Sequence, residues 1–206
     1  MANTIINIGR QIGAGGREIA RWLAEEFSCV FFNREILNLA AQESGFSKEL
    51  FERNDEHKGF MKTLFHIHTP FVGENNFYGS PVSDESLFQF QADAIRKAAD
   101  KGNCVFLGRC ADYVLRDYPN AINIFITADL RQRVKVVQER EKCTEEEARK
   151  LIQKGESERS SYYNYYTGKR WGHAESYDLC VNTSILGMEE TCRFVADFIR
   201  CQQKEK

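Results

Sequence analysis

Gly13, Gly15 and Gly16 fall within four residues, between an isoleucine-rich run and an apolar helical stripe. Glycine accepts positive φ and lets main-chain N–H groups come close to a ligand. Ile5, Ile6 and Ile8 read as a buried strand, and Ile19, Trp22, Leu23 and Phe27 as the apolar side of a helix. A strand, a glycine-rich loop and a helix N-terminus aim free N–H groups and the positive end of the helix dipole at one spot. That is the chemistry of phosphate binding. Arginines recur where such a site would need them: Arg10 and Arg17 flank the loop, and Arg109 follows a later apolar run. A guanidinium can grip a phosphate through two parallel hydrogen bonds. The other reading of the stretch is a tight strand-to-helix turn that binds nothing.

Two familiar patterns fail here. The dinucleotide fingerprint G-x-G-x-x-G, started at Gly13, meets Glu18 in place of its third glycine. The phosphate-loop pattern G-x-x-x-x-G-K-[ST], ended on Gly16-Arg17, meets Gln11 for its first glycine and Glu18 for its hydroxyl. The loop has the shape of a phosphate cradle without the usual lysine.

The elements that must carry this loop alternate strand and helix. Cys29 to Phe32 reads as a second strand, and Asn33 caps a helix that begins Arg34-Glu35-Ile36. Glu85 to Asp100 is a helix by its spacing, stopped at Gly102. Cys104 to Leu107 and Ala121 to Ile126 are further strands, and Tyr177 to Thr183 holds the last. Asp112 and Tyr113 open a helix that ends near Asp117. Thr144 opens another, acidic in its first turn, running toward Arg159. Met188 to Cys201 closes the chain as an amphipathic helix. Such alternation predicts an α/β fold with a parallel sheet covered on both faces. In open sheets of this kind ligands collect at the carboxyl ends of the strands. Asn33, Arg34, Glu35 and Arg109 would stand at that edge; the other reading of the first three is a helix cap with solvated charges.

Residues 44–84 break the pattern. Their prolines, glycines and many aromatics read as a mobile, partly helical lobe over a site. His66 and His68 lie there, without a nearby carboxylate or cysteine to complete a metal set. The tyrosines from Tyr162 to Tyr166, with Lys169, Arg170 and Trp171, read as a nucleotide-facing lid or a core patch.

The 206 residues suit one domain. A net charge of −2 gives no global bias toward nucleic acid or anionic membrane. Seven cysteines, odd in number and without a C-x-x-C pair, suit free thiols in a reducing compartment. With no signal peptide and no membrane-length apolar run, the expected location is the cytoplasm. The sequence carries no signal for the oligomeric state.

Several stretches together resemble the cytidylate kinase-like family, among the phosphate-loop nucleoside monophosphate kinases. They are Gly9 to Glu18, Asn33 to Ile36, Gly108 to Tyr113, Phe125 to Ala128, Glu156 to Arg159 and Tyr177 to Thr183. The resemblance covers nearly the whole chain. It implies a three-layer α/β/α P-loop NTPase-like fold over residues 1–206, with an acceptor lobe at 44–84 and a lid at 154–175. It implies ATP and Mg2+ as cofactors and a nucleoside monophosphate such as CMP as the small-molecule substrate. Arg10, Ile12, Gly13, Ala14, Gly15, Gly16, Arg17 and Glu18 would bind the donor. Asn33, Arg34, Arg109 and Asp112 would bind the acceptor. Arg17, Arg133 and Arg159 would serve catalysis, Arg159 from a mobile lid. No metal ligand is implied. Aligned with ordinary cytidylate kinases, Gly16 takes the place of the loop lysine and Glu18 that of the magnesium-binding hydroxyl. Arg10 or Arg17 is then the substitute cation. A nucleotide-sensing module without catalysis and a kinase of another small molecule are the alternatives.

Overall fold

The computed structural model describes residues 3–33 and 84–204. The chain divides into two units, Met1–Asn33 with Ala98–Lys206, and Arg34–Lys97. Within the second, the described part belongs to a single helix. Arg34, His66, His68 and all but the end of the 44–84 lobe lie outside the described residues.

The described elements are β1 (Ile5–Arg10), α1 (Gly16–Glu26), β2 (Val30–Phe32), α2 (Asp84–Lys101), β3 (Cys104–Leu107), α3 (Ala111–Val114), β4 (Ala121–Thr127), α4 (Leu130–Glu141), α5 (Glu145–Thr167), β5 (Leu179–Asn182) and α6 (Thr183–Lys204). A short 3-10 turn, Ala174–Ser176, precedes β5. The five strands form one sheet, in the order β2-β3-β1-β4-β5, and every pairing is parallel. In β1, Ile5, Ile6 and Ile8 are almost wholly buried, as a strand covered on both faces requires. Ile6, Ile8, Val105, Leu107, Ile124 and Ile126 pack with Ile19 and Leu23 of α1 and Val195 and Ile199 of α6. On other parts of the sheet Phe32 stacks on Phe106 at 5.2 Å, and Asn7 donates to Asn123 Oδ1 at 2.8 Å.

The chain leaves β1 toward β2 at one edge, whereas β3 and β4 continue toward the β5 side. The carboxyl end of β1 is therefore a topological switch point, where a crevice opens. Arg10, Gly108 and Thr127 all stand at this end.

Local differences from the sequence reading have physical causes. β2 starts at Val30 rather than Cys29, and as an edge strand it leaves Val30 59% exposed. α3 is a single turn, because the residues after Val114 form turns up to Ala121. α5 does not stop near Arg159 but runs to Thr167. Its start is fixed by a capping box between Thr144 and Glu147, and its end by Gly168 in a left-handed conformation. α6 begins at Thr183, with a break at Gly187 (φ 77°, ψ 173°), a region open only to glycine.

The expected nucleotide lid, 154–175, is here the second half of α5 and the turns that follow. Part of its aromatic stretch is core. Tyr163 is buried, Trp171 meets Phe125 edge-on at 5.3 Å, and Tyr177 lies 4.9 Å from Phe125. Among the described residues no helix is long and apolar enough to cross a membrane.

Candidate functional site

The glycine loop is built by its neighbours as much as by its own conformation. Gly13 and Gly15 take φ of 77° and 78°. A Cβ on Gly13 would lie 2.7 Å from the Arg133 carbonyl oxygen, one on Gly15 2.5 Å from Met188 Sδ, and one on Gly16 2.5 Å from Arg10 Cβ. Side chains are thus excluded by the protein itself on three sides of the loop. Gly15 is the N-cap of α1 and offers no capping side chain. The first N–H groups of α1 have no partner within the helix, so they are available to an anion.

Hydrogen bonds hold the loop in place. Gln11 N–H donates to Ile126 O at 3.0 Å, and Thr127 O–H donates to Gln11 Oε1. Ile12 N–H donates to Glu156 Oε1 at 3.2 Å. Thr183 O–H reaches Ala14 O at 3.2 Å and Thr127 O at 3.3 Å. The Ile12 side chain seats on α5 in the space a Gly155 Cβ would fill, and joins the small core of Val134, Val137, Ala148 and Ile152.

Four arginines converge at the same strand ends. Arg10 ends β1, and its Nη1 lies in the space that a Gly108 Cβ would fill. Burial, together with the positive charges of Arg159, Arg109 and Arg17, pushes the Arg10 guanidinium well below its ordinary value. Among the described residues, the charges that act on it most are those of these three arginines. Arg159 donates from Nη1 to the Arg10 carbonyl at 3.1 Å. Burial lowers Arg159 to about 10, against the opposing pull of Glu156. Arg109 sits in a left-handed run, Gly108-Arg109-Cys110, with φ of 76°, 62° and 55°, and its side chain meets the Tyr162 hydroxyl. Arg17 is exposed on the first turn of α1, as is Glu18.

Other expected site residues are engaged within the protein. Arg133 is buried: its Nε donates to Ala128 O at 2.9 Å, and its Nη1 pairs with Glu156 Oε1 at 2.5 Å. Glu156 thus holds both Arg133 and the Ile12 N–H. Asp112 is buried on α3 and accepts the Tyr163 hydroxyl at 2.6 Å. Burial raises its carboxyl above the ordinary value, although Tyr163 and Lys169 oppose the shift. Asn33 is the half-buried residue after β2.

Some residues that shape the site fell outside the sequence-derived set: Glu156, Tyr163, Thr183 and Met188. Glu156 and Tyr163 did carry a signal, since Glu156, Arg159, Tyr163 and Thr167 recur at helical spacing along α5. Thr183 and Met188 had none, because they reach the loop only through the fold. Among the described residues no group of three or more His, Cys, Asp or Glu side chains could enclose a metal.

The chain is 27% identical over 198 residues to a cytidylate kinase from Methanopyrus kandleri, covering 92% of this chain and 89% of the relative. Its structure is similar to that of an uncharacterized protein from Eubacterium ventriosum, with a TM-score of 0.71 and 27% identity, covering 96% of this chain and 98% of the other. A shikimate kinase from Acinetobacter baumannii, solved with shikimate, shares the fold at 11% identity and a TM-score of 0.50, with 98% and 94% coverage. The sequence profile of the cytidylate kinase-like family matches residues 5–185, and with the parallel sheet and glycine loop already described this places the chain in that family.

Proposed function

We propose that the protein is an ATP-dependent phosphotransferase that acts on a nucleoside monophosphate such as CMP. The observation that carries this reading is the set of four arginines at the glycine loop, where among the described residues the charges acting most on Arg10 are those of three other arginines. Buried charge is costly without a counter-charge. A polyphosphate supplies that counter-charge, and family membership is in accord with it.

Each residue then has a role. The loop from Ile12 to Glu18, through its backbone N–H groups, cradles the donor phosphates. Arg109 grips the acceptor phosphate; Asn33 and Arg34 are proposed as further acceptor contacts, and Asp112 becomes one only if its bond to Tyr163 opens. Arg159 and Arg17 cancel charge on the transferring group, and Arg133 joins them only if its pairing with Glu156 opens. Phosphoryl transfer asks mainly for positioning and charge cancellation, which converging guanidinium groups provide. Magnesium bound with the donor would neutralise part of the charge on its phosphates. The described residues offer no enclosing set of ligands, so the fit is to an ion held largely by phosphate oxygens and water, as magnesium often is.

The test is a coupled transfer assay with ATP and magnesium, screening CMP, dCMP, UMP, AMP and GMP, with ATP affinity measured alongside. Turnover with CMP above the enzyme-free rate is the expected result. ATP binding without transfer to any of the five would replace the reading with a nucleotide-binding protein or a kinase of another small molecule. Absence of ATP binding would reduce the loop to a turn.

A further inference from the structure

We infer that Arg10, reaching in from the end of β1, fills the role of the missing loop lysine, and that Gly16 is a glycine so that it can. The inference rests on the phosphotransferase reading and deepens it by choosing between the two candidate cations, Arg10 and Arg17.

Three observations lead to it. First, in the alignment with ordinary cytidylate kinases the loop lysine falls at position 16, directly after Gly15. A Cβ at Gly16 would fall 2.5 Å from Arg10 Cβ and 3.0 Å from Arg10 Cγ. The stem of Arg10 thus runs through the space where a side chain at position 16 would begin. The two positions exclude each other sterically from Cβ outward: residue 16 or residue 10 carries a side chain, and here it is residue 10.

Second, the Arg10 head is delivered to the strand ends. Its Nη1 stands at Gly108, where a Cβ would clash, and Arg159 fixes its backbone carbonyl at 3.1 Å. Strand β1 holds that backbone in the centre of the sheet, paired with β3 and β4. A cation on such a support is oriented in advance. Third, Arg17 is exposed on α1 and has solvent as its alternative. The planar fork of arginine is larger than an ammonium, which explains why it enters from a residue farther back.

The experiment measures ATP affinity calorimetrically for the full chain and for Arg10→Ala, Arg10→Gly, Arg17→Ala, Gly16→Ala, Arg10→Gly/Gly16→Ala and Arg10→Gly/Gly16→Lys, glycine at position 10 being needed to remove the Cβ that a side chain at position 16 would meet. Thermal melts confirm folding. Arg10→Ala should weaken ATP binding by about 10- to 100-fold, the size of one charge-assisted hydrogen bond, and Arg17→Ala by less. Gly16→Ala should weaken binding when Arg10 is present and change little in the Arg10→Gly background. Arg10→Gly/Gly16→Lys should recover part of the loss, since a lysine then has both the room and the position. If Arg10→Ala does not fold, the contrast between Gly16→Ala and Arg17→Ala in the native background decides. Gly16→Ala that binds ATP as the native chain does would overturn the assignment. So would an equal Gly16→Ala effect in both backgrounds, or Arg17→Ala costing more than Arg10→Ala. A native chain that binds no ATP would remove the phosphotransferase reading as well. Native binding matched by Arg10→Ala removes this assignment alone.

Discussion

Asp112 keeps its carboxyl away from water, with the Tyr163 hydroxyl as its hydrogen-bond donor at 2.6 Å. Burial raises its folded value above 3.8, the ordinary one. The native state therefore binds this proton more tightly than the unfolded chain does. The sign follows: stability contributed by the protonated form is full below the unfolded value and declines as pH rises through the folded one. Asp112→Asn keeps an acceptor for Tyr163 and has no proton to lose. From about pH 4 upward, the variant should gain on the native chain in urea unfolding, until Asp112 is fully ionised. A constant difference between the two across that range would contradict the assignment. The arginines show why residue types alone left the site half-read. Arg133 and Arg159 were both expected to serve catalysis, with Arg159 as the one that meets the transferring phosphoryl group. The fold turns Arg133 into the wall of the loop and leaves Arg159 beside Arg10.

Helix α5 is the element that ties the loop to the rest of the protein. Along one face it presents Ile152 to the small core, Gly155 to Ile12, Glu156 to Arg133 and the Ile12 N–H, Arg159 to Arg10, and Tyr163 to Asp112. Much of this face is polar, so a search for hydrophobic periodicity loses the helix after Ile152 although the helix continues to Thr167. Glu156→Gln leaves an acceptor for Ile12 but breaks the charge pair with Arg133. It should cost roughly 3 kcal/mol in denaturant unfolding, because one partner of a largely buried pair is left behind. Arg133→Ala should cost a similar amount. Loss of turnover in Arg133→Ala with an unchanged unfolding midpoint would instead mark Arg133 as a contact of the transferring group. In α6, Gly187 divides the turn that brings Thr183 to Ala14 from the long helix behind it. The closing helix was expected from Met188, the residue after Gly187. Gly187→Ala meets no atom within 4 Å but cannot adopt φ 77° with ψ 173° at ease. It should destabilise the fold by about 1–3 kcal/mol, measured as a lowered urea midpoint.

For the molecule as a whole, a near-neutral chain concentrates positive charge at one sheet edge. The net charge is −2, yet four arginines stand together at the loop. An anion bound there adds to folding stability by mass action. ATP at about 100 times its dissociation constant should add about 2.7 kcal/mol. For a chain of this size that raises Tm by about 5–10 °C. Equal stabilisation by adenosine would show that the base, not the phosphates, carries the binding. The parallel sheet was legible at this scale, since each strand is a short apolar run followed by a helix. The order β2-β3-β1-β4-β5 was not. Strand order depends on pairings between residues as far apart as Ile5 and Ala121, and no local pattern encodes them.

The left-handed turn at Gly108-Arg109-Cys110 has a consequence for adaptation to heat. Arg109 and Lys142 are both non-glycine residues at positive φ, 62° and 53°. Each such residue carries about 1 kcal/mol of backbone strain that glycine would relieve. Lys142 caps α4 on the exposed surface, so Lys142→Gly should raise Tm and leave turnover alone. Arg109→Gly should relieve comparable strain but remove the guanidinium proposed to grip the acceptor, and so raise the acceptor's KM. A library selected on thermal survival alone would enrich both substitutions. Selection on growth that needs the reaction would keep only the first, and a chain evolved under both pressures stays strained at Arg109.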